Sequence, residues 1–255
     1  MTRIVPALFA LALLSGCARS DAPPALQTPA DSLALEVIDA YGGWDAWAQL
    51  PLLRFDWVVE RDTVEVRRVR HLWDRAGDRA RIEWEIGADS VAVAVLDLRM
   101  SRPDAPAGEV WVNGVASPPE DSLLIAAYAR YINDTYWLAA PVKVLDPGVN
   151  RALAPDSAIG DLRALALSFG EVGLTPGDRY WLFVRPDGLV DRWTYVLEGD
   201  TTATTWRWSE TTALLGDHPP VSISTRKSKP DGTAILTEPQ ALPTQDPWTT
   251  PTPIL

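Results

Sequence analysis

Residues Arg179–Leu197 read RYWLFVRPDGLVDRWTYVL, two runs of bulky side chains joined around Pro186-Asp187-Gly188. Pro presets the first bend of a turn and Gly accepts the left-handed backbone that closes it, so the stretch predicts a β-hairpin. Side chains alternate faces along a strand. Trp181 and Phe183 therefore share one face of the first strand, and Trp193, Tyr195 and Leu197 share one face of the second.

The same alternation recurs elsewhere. RFDWVVE (54–60) sets Phe55, Trp57 and Val59 against Arg54, Asp56, Val58 and Glu60, and ARIEWEI (80–86) sets Ile82, Trp84 and Ile86 against Arg81, Glu83 and Glu85. TTWRWSE (204–210) places Trp206 beside Trp208, and VSISTRKSKPDGTAIL (221–236) reads as a second hairpin with its own Pro-Asp-Gly turn. VAVAVLDL (91–98) is apolar on both faces, which predicts a strand lying beneath a helix.

Two segments carry the helical period instead. The first opens at TPAD, with Thr28 as N-cap, Pro29 at the first helical position and Asp31 at the third, followed by Leu33, Val37 and Tyr41. Gly42 and Gly43 end it, and WDAWAQL makes a further short turn of helix. The second opens at SPPE, with Ser117 as cap and Glu120 reciprocating; Leu124, Tyr128, Tyr131 and Thr135 mark one face. Strands in long succession, with no βαβ alternation, predict an α+β chain: a mostly antiparallel sheet covered by helices.

The 255 residues carry a net charge of −11 at pH 7 and twelve Trp. An acidic surface repels phosphate backbones, so nucleic acid is excluded as a partner class. G-x-S-x-G, H-E-x-x-H, a glycine-rich phosphate loop and a calcium loop are all missing from the sequence, and no cofactor or metal is expected. His71 and His218 stand in unrelated segments and read as satisfied or solvated side chains. The 34 Asp and Glu leave a carboxylate-dependent hydrolase as an alternative, since glycoside hydrolysis needs only two at the right separation. Nothing else argues for an enzyme.

The lone cysteine, Cys17, ends an apolar run from Ile4 to Leu14 preceded by Arg3. That run is shorter than the roughly 20 residues needed to span a bilayer and has the proportions of a secretory leader. With LSGC, Leu14 to Cys17, it resembles the bacterial lipoprotein signal, in which cleavage precedes the Cys and the new terminus is acylated. Residues 1–16 are then the signal peptide and Cys17 the lipidated anchor, palmitate being one such acyl group. Ala18 stands where Asp is associated with inner-membrane retention in enteric bacteria, so the resemblance favours the outer membrane, facing the periplasm. Residues 17–30 are a Pro-containing tether. The tail, 238–255, has five Pro and no period; it is either disordered or a clasp laid across the surface by Trp248.

AYGGWDAWAQLPLLRFDW (40–57) and YINDTYWLAAPVKVLDPGV (131–149), in this order of elements, resemble lipoproteins of the LolA/LolB group of periplasmic carriers and receptors. That resemblance implies, over residues 31–237, a strongly curved, unclosed half-barrel whose concave face is lidded by helices over an apolar cavity for acyl chains. It implies no residue roles here. Asn133, Asp134, Lys143 and Asp146 read as helix termination and a turn. The aromatics Phe55, Trp57, Trp84, Trp181, Phe183, Trp193, Tyr195, Trp206 and Trp208 are expected to line one concave surface that takes a hydrophobic ligand or the acyl chain of a lipoprotein. The remaining alternative is a non-catalytic module that docks an envelope protein through an exposed patch around Trp44 and Trp47.

Overall fold

A computed structural model describes residues 23–118, 122–170, 174, 175, 177–209, 212–216, 220–242 and 248–254. The leader, Cys17, Glu120 and His218 lie outside the described residues. Helices α1 (Pro29–Ala40) and α2 (Trp44–Ala48) precede β1 (Leu52–Arg61), β2 (Val64–Asp74), β3 (Arg79–Gly87), β4 (Ser90–Arg102), β5 (Ala105–Val112) and β6 (Val115–Ala116). Helix α3 (Ser122–Ala139) follows, then β7 (Val149–Leu153), β8 (Arg163–Phe169), β9 (Arg179–Val184), β10 (Val190–Val196) and β11 (Thr204–Trp208). The chain ends with β12 (Thr212–Leu215), β13 (Val221–Ser224), β14 (Arg226–Ser228), β15 (Thr233–Thr237) and β16 (Gln240–Ala241).

Fourteen strands form one antiparallel sheet in the order β6-β5-β4-β3-β2-β1-β15-β14-β11-β10-β9-β8-β7, with β16 also on β1, and β12 and β13 form a separate hairpin. The order has two ends, β6 and β7, that do not pair, so the curved sheet is an unclosed half-barrel. Helix α3 connects those two edge strands, and it does so across the concave face, where it packs on β3, β4 and β5 and on the 3-10 turn Ala140–Val142. Its described residues begin at Ser122, and the expected cap partner Glu120 lies outside them. Ser117 donates its N–H to Val110 O at 2.8 Å at the sheet's edge.

Helix α1 starts as its sequence dictates. Thr28 Oγ1 accepts from Asp31 N at 3.1 Å, and Asp31 Oδ2 accepts from Thr28 N at 3.0 Å. Asp31 also binds Arg151 Nε on β7 at 2.8 Å, which ties the helix to the sheet's last strand. That guanidinium first, and the N–H of Gln27 next, hold the Asp31 carboxyl down at about 2. At the other end of α1, Gly42 adopts φ +114°, and a Cβ there would lie 2.3 Å from Pro220 O. Only glycine lets β13 approach so closely.

Strand β4 is covered twice. Ala92, Ala94 and Leu96 face α3 together with Val69, Ile82 and Trp84. On the outer face Val95 joins Leu52, Leu72 and Trp248, the last brought there by the C-terminal segment. Residues 248–254 lie across that face as a strap. Trp248 is buried beneath the Arg79 guanidinium, 4.2 Å above its ring. Arg81 Nη1 and Nη2 donate to Thr250 O and Thr252 O, each at 2.7 Å, and Ile254 N donates to Glu83 Oε1 at 3.1 Å. The Arg81–Glu83 pair, 2.7 Å apart, is thereby removed from solvent altogether. Trp248→Ala is expected to cost about 3 kcal/mol of stability in urea unfolding, with faster amide exchange at Ile254. Exchange at Ile254 unchanged in that variant would show that the indole does not hold the strap.

Candidate functional site

The concave wall is aromatic over its β8–β11 half. Trp193 of β10 lies opposite Trp206 of β11, and Trp208 opposite Lys227 of β14. Into this wall α3 inserts Trp137, whose ring centroid lies 5.1 Å from Trp206, 5.8 Å from Trp193 and 6.3 Å from both Trp208 and Tyr195. The neighbouring Tyr136 packs edge-on against Phe169 at 5.1 Å and Trp193 at 5.5 Å. Tyr180 meets Phe169, Trp193 and Tyr195 at 5.2, 5.1 and 5.8 Å. Such edge-to-face contacts add about 0.5–1.5 kcal/mol each to simple burial.

Beside this cluster a half-open cavity of about 470 Å³ lies between the C-terminal half of α3, the turn 143–147, the start of β7 and the mouth-side ends of β8, β9 and β10. Tyr131, Tyr136, Trp137, Phe169, Tyr180 and Tyr195 turn partly exposed rings toward it, with Ile132, Val149, Leu174 and Leu197 as aliphatic lining. Its polar residues are few. Lys143 Nζ and Asp146 Oδ2 are 2.5 Å apart. Buried Asp178 accepts from Tyr180 Oη and from Glu198 N, both at 2.7 Å. The cavity thus holds two carboxylates, each already engaged. Burial, then the Asp146 charge, pushes the Tyr136 phenol well above its usual range, and burial first and Asp178 second raise Tyr180. Both phenols stay neutral at physiological pH.

Of the residues expected to line one surface, Trp193 and Tyr195 reach the cavity, while Trp206 and Trp208 form the wall behind Trp137. Phe55 and Trp57 share the same core but lie further along the sheet, and Trp84 belongs to a separate cluster under Arg130 of α3. Trp181 and Phe183 point the other way. The hairpin begins with Val190 opposite Val184, a register that would set Trp193 opposite Trp181; a bulge before Arg192 moves Trp193 opposite Leu182. One extra residue flips the face. Tyr136, Trp137, Phe169 and Tyr180 were not anticipated; the aromatic pair Tyr136-Trp137 within the α3 segment was the available signal. Of the residues read as helix termination, Asn133, Lys143 and Asp146 line the cavity, and Asp134 binds His71 Nε2 at 2.8 Å under the helix.

The patch around Trp44 and Trp47 is not an exposed one. Trp47 is 4 % exposed and Trp44 is half-buried against the core. The reason is Arg75, whose guanidinium stacks 3.8 Å over the Trp47 ring and donates to the carbonyls of Trp47 and Leu50. That contact closes α2 against the sheet.

With this geometry in view, comparison with solved structures finds fold likeness. A DUF1329 family protein from Desulfovibrio piger is similar with a TM-score of 0.50 at 13 % identity, over 87 % of this chain and 96 % of that one. A LolA superfamily protein from Nitrosomonas europaea is similar with a TM-score of 0.45 at 13 % identity, over 88 % of this chain and 99 % of that one. No family model and no curated protein matches the chain.

Behind Trp208 lies a further oddity. The Lys227 ammonium is fully buried, 5.0 Å over the Trp208 ring, and donates to Ser224 O at 2.6 Å and Thr237 Oγ1 at 3.3 Å. Burial pushes it down to about 7. In the unfolded chain a lysine keeps its proton to about pH 10.4. The unfolded state therefore binds more protons between pH 7 and 10, and stability rises with pH across that window, the penalty being complete below pH 7. Lys227→Met is expected to stabilise the fold by about 2–4 kcal/mol at pH 6, with the gain fading toward pH 10 in thermal unfolding. A gain independent of pH would clear the ammonium of blame.

Proposed function

We propose that this chain is an envelope lipoprotein, anchored by acyl groups on Cys17 at the outer membrane, that binds the apolar part of a lipid in the cavity beside α3 and releases it unchanged. The observation that carries this reading is the half-open, aromatic-lined cavity of about 470 Å³ under the helix. Its volume falls low in the range of about 300–1,000 Å³ typical of small-molecule pockets, which suits one acyl chain and not a triacylated anchor. The lipobox-like LSGC and the resemblance to the LolA/LolB group agree with it, as does the unclosed half-barrel. Burial of about 300 Å² of chain contributes about 7 kcal/mol, which sets a ceiling of about 10 μM on the affinity before the costs of association.

Titrating delipidated protein with decanol, whose head is uncharged, is expected to change tryptophan fluorescence saturably, because Trp137 and Trp193 stand in the lining, and Val149→Trp, which fills the cavity, is expected to abolish the response. A silent titration with no shift in melting temperature would sink the carrier reading. For the anchor, Cys17→Ser is expected to move the protein from the membrane fraction to the soluble one and to end palmitate labelling.

A further inference from the structure

The cavity is richer in rings than an acyl chain requires. Aliphatic walls bury a hydrocarbon equally well, yet six partly exposed aromatic side chains are gathered here. Aromatic faces carry negative charge density and attract cations that have shed their water. The formal charges agree. Lys143 is neutralised by Asp146 at 2.5 Å, so the lining keeps the charge of Asp178. Asp178 is 2 % exposed and is held by two neutral donors, the Tyr180 hydroxyl and the Glu198 N–H; no cation pairs with it among the described residues.

Several hydrogen-bond donors of the lining are already engaged: the Asn133 amide donates to Asp134 Oδ1 at 2.8 Å and the Thr135 hydroxyl to Tyr131 O at 2.6 Å. The Tyr180 hydroxyl is spent on Asp178. Those of Tyr136 Oη and Trp193 Nε1 are buried within the wall and meet no partner among the described residues, so their rings, not their polar atoms, face the guest. An anionic head would meet Asp146 and Asp178 with its one ammonium already taken. A head that is positively charged and needs no hydrogen bonds meets no such obstacle.

We infer that the guest is an amphiphile with a quaternary ammonium head, seated among Tyr136, Tyr180 and Tyr195 beside Asp178, its chain running along the aliphatic lining. This rests on the apolar-ligand reading above and adds the chemistry of the head. The net charge of −11 favours the encounter with such a ligand.

The test compares lysophosphatidylcholine with lysophosphatidylglycerol of identical chain, titrated below their micelle concentrations into the purified full chain, with tetramethylammonium chloride as competitor. The choline lipid is expected to bind about tenfold tighter or better, and tetramethylammonium to displace it at millimolar concentration. Asp178→Asn and, separately, Tyr195→Leu are expected to bring the two lipids to equal affinity while both still bind; the second variant serves if the first does not fold. Equal binding by the unaltered protein overturns the assignment of the head and leaves the acyl-chain site standing. Binding of neither lipid overturns both readings. A choline preference that survives both substitutions shows that the ammonium sits elsewhere and overturns this site.

Discussion

One covering problem governs this molecule: a wide, curved sheet whose two edge strands never meet must hide its inner face from water. The chain solves it by running its longest helix from one edge to the other. The N-terminal half of α3 seals β3–β5 through Leu124 and Ala127, and the C-terminal half reaches the opposite core through Trp137 and Leu138. Between them Asp134 grips His71, which in turn stacks on Phe55 at 4.4 Å. A helix is only about 10–12 Å across, and neighbouring strands lie about 4.8 Å apart. One helix therefore covers two or three strands' width. Helix α1 takes β7 and β8, and what neither helix reaches is filled by large side chains or left as cavity.

Much of this was legible because it is local. A capping box needs four consecutive residues, a hairpin needs a turn and two alternating runs, and both were written openly at Thr28–Asp31 and Arg179–Leu197. The double coverage of β4 was half legible. Apolar residues on both faces named the helix as one cover; the clasp by Trp248 was one of two readings of the tail, and nothing local said that it lands on the outer face of β4. What escaped was phase. A bulge of a single residue in β10 reverses which side Trp193 takes relative to Trp181, and no composition signal marks it. Trp137 escaped for a different reason. A helix buried on one side shows one stripe, whereas α3 is packed along its length against different walls, so its second aromatic stripe falls off the face that periodicity picks out.

The aromatic wall is a costly way to fill space. The indole N–H groups of Trp57, Trp193, Trp206 and Trp208 are buried with no partner among the described residues, and Lys227 sits behind them. Each unsatisfied donor costs about 1–3 kcal/mol, a load that leucine or isoleucine would not impose. Three of those four indoles belong to the cluster that backs the cavity, centred on Trp137. Where a fold departs from the cheapest packing, the departure usually sits at a working site. Here it sits against the cavity beside the C-terminal half of α3.

That placement also says which parts of the wall are rigid. Helix α3 is fixed midway by His71–Asp134 and nearer its start by Arg130, whose guanidinium lies 4.9 Å over Trp84. Swinging it away would strand a buried carboxylate and a buried imidazole together, a change of several kcal/mol. The cavity's outer boundary is built differently. The turn 143–147 is held by Lys143–Asp146 and by Arg151, which donates to Val144 O at 2.9 Å; facing it are Thr175 and Asp178, also outside regular strands. Among the described residues, separating those two turns would disturb no ladder of backbone hydrogen bonds, whereas lifting the helix would disturb the core. Among the described residues the helix is therefore a fixed roof over the cavity, and the cavity's open side lies toward the β7–β10 rim.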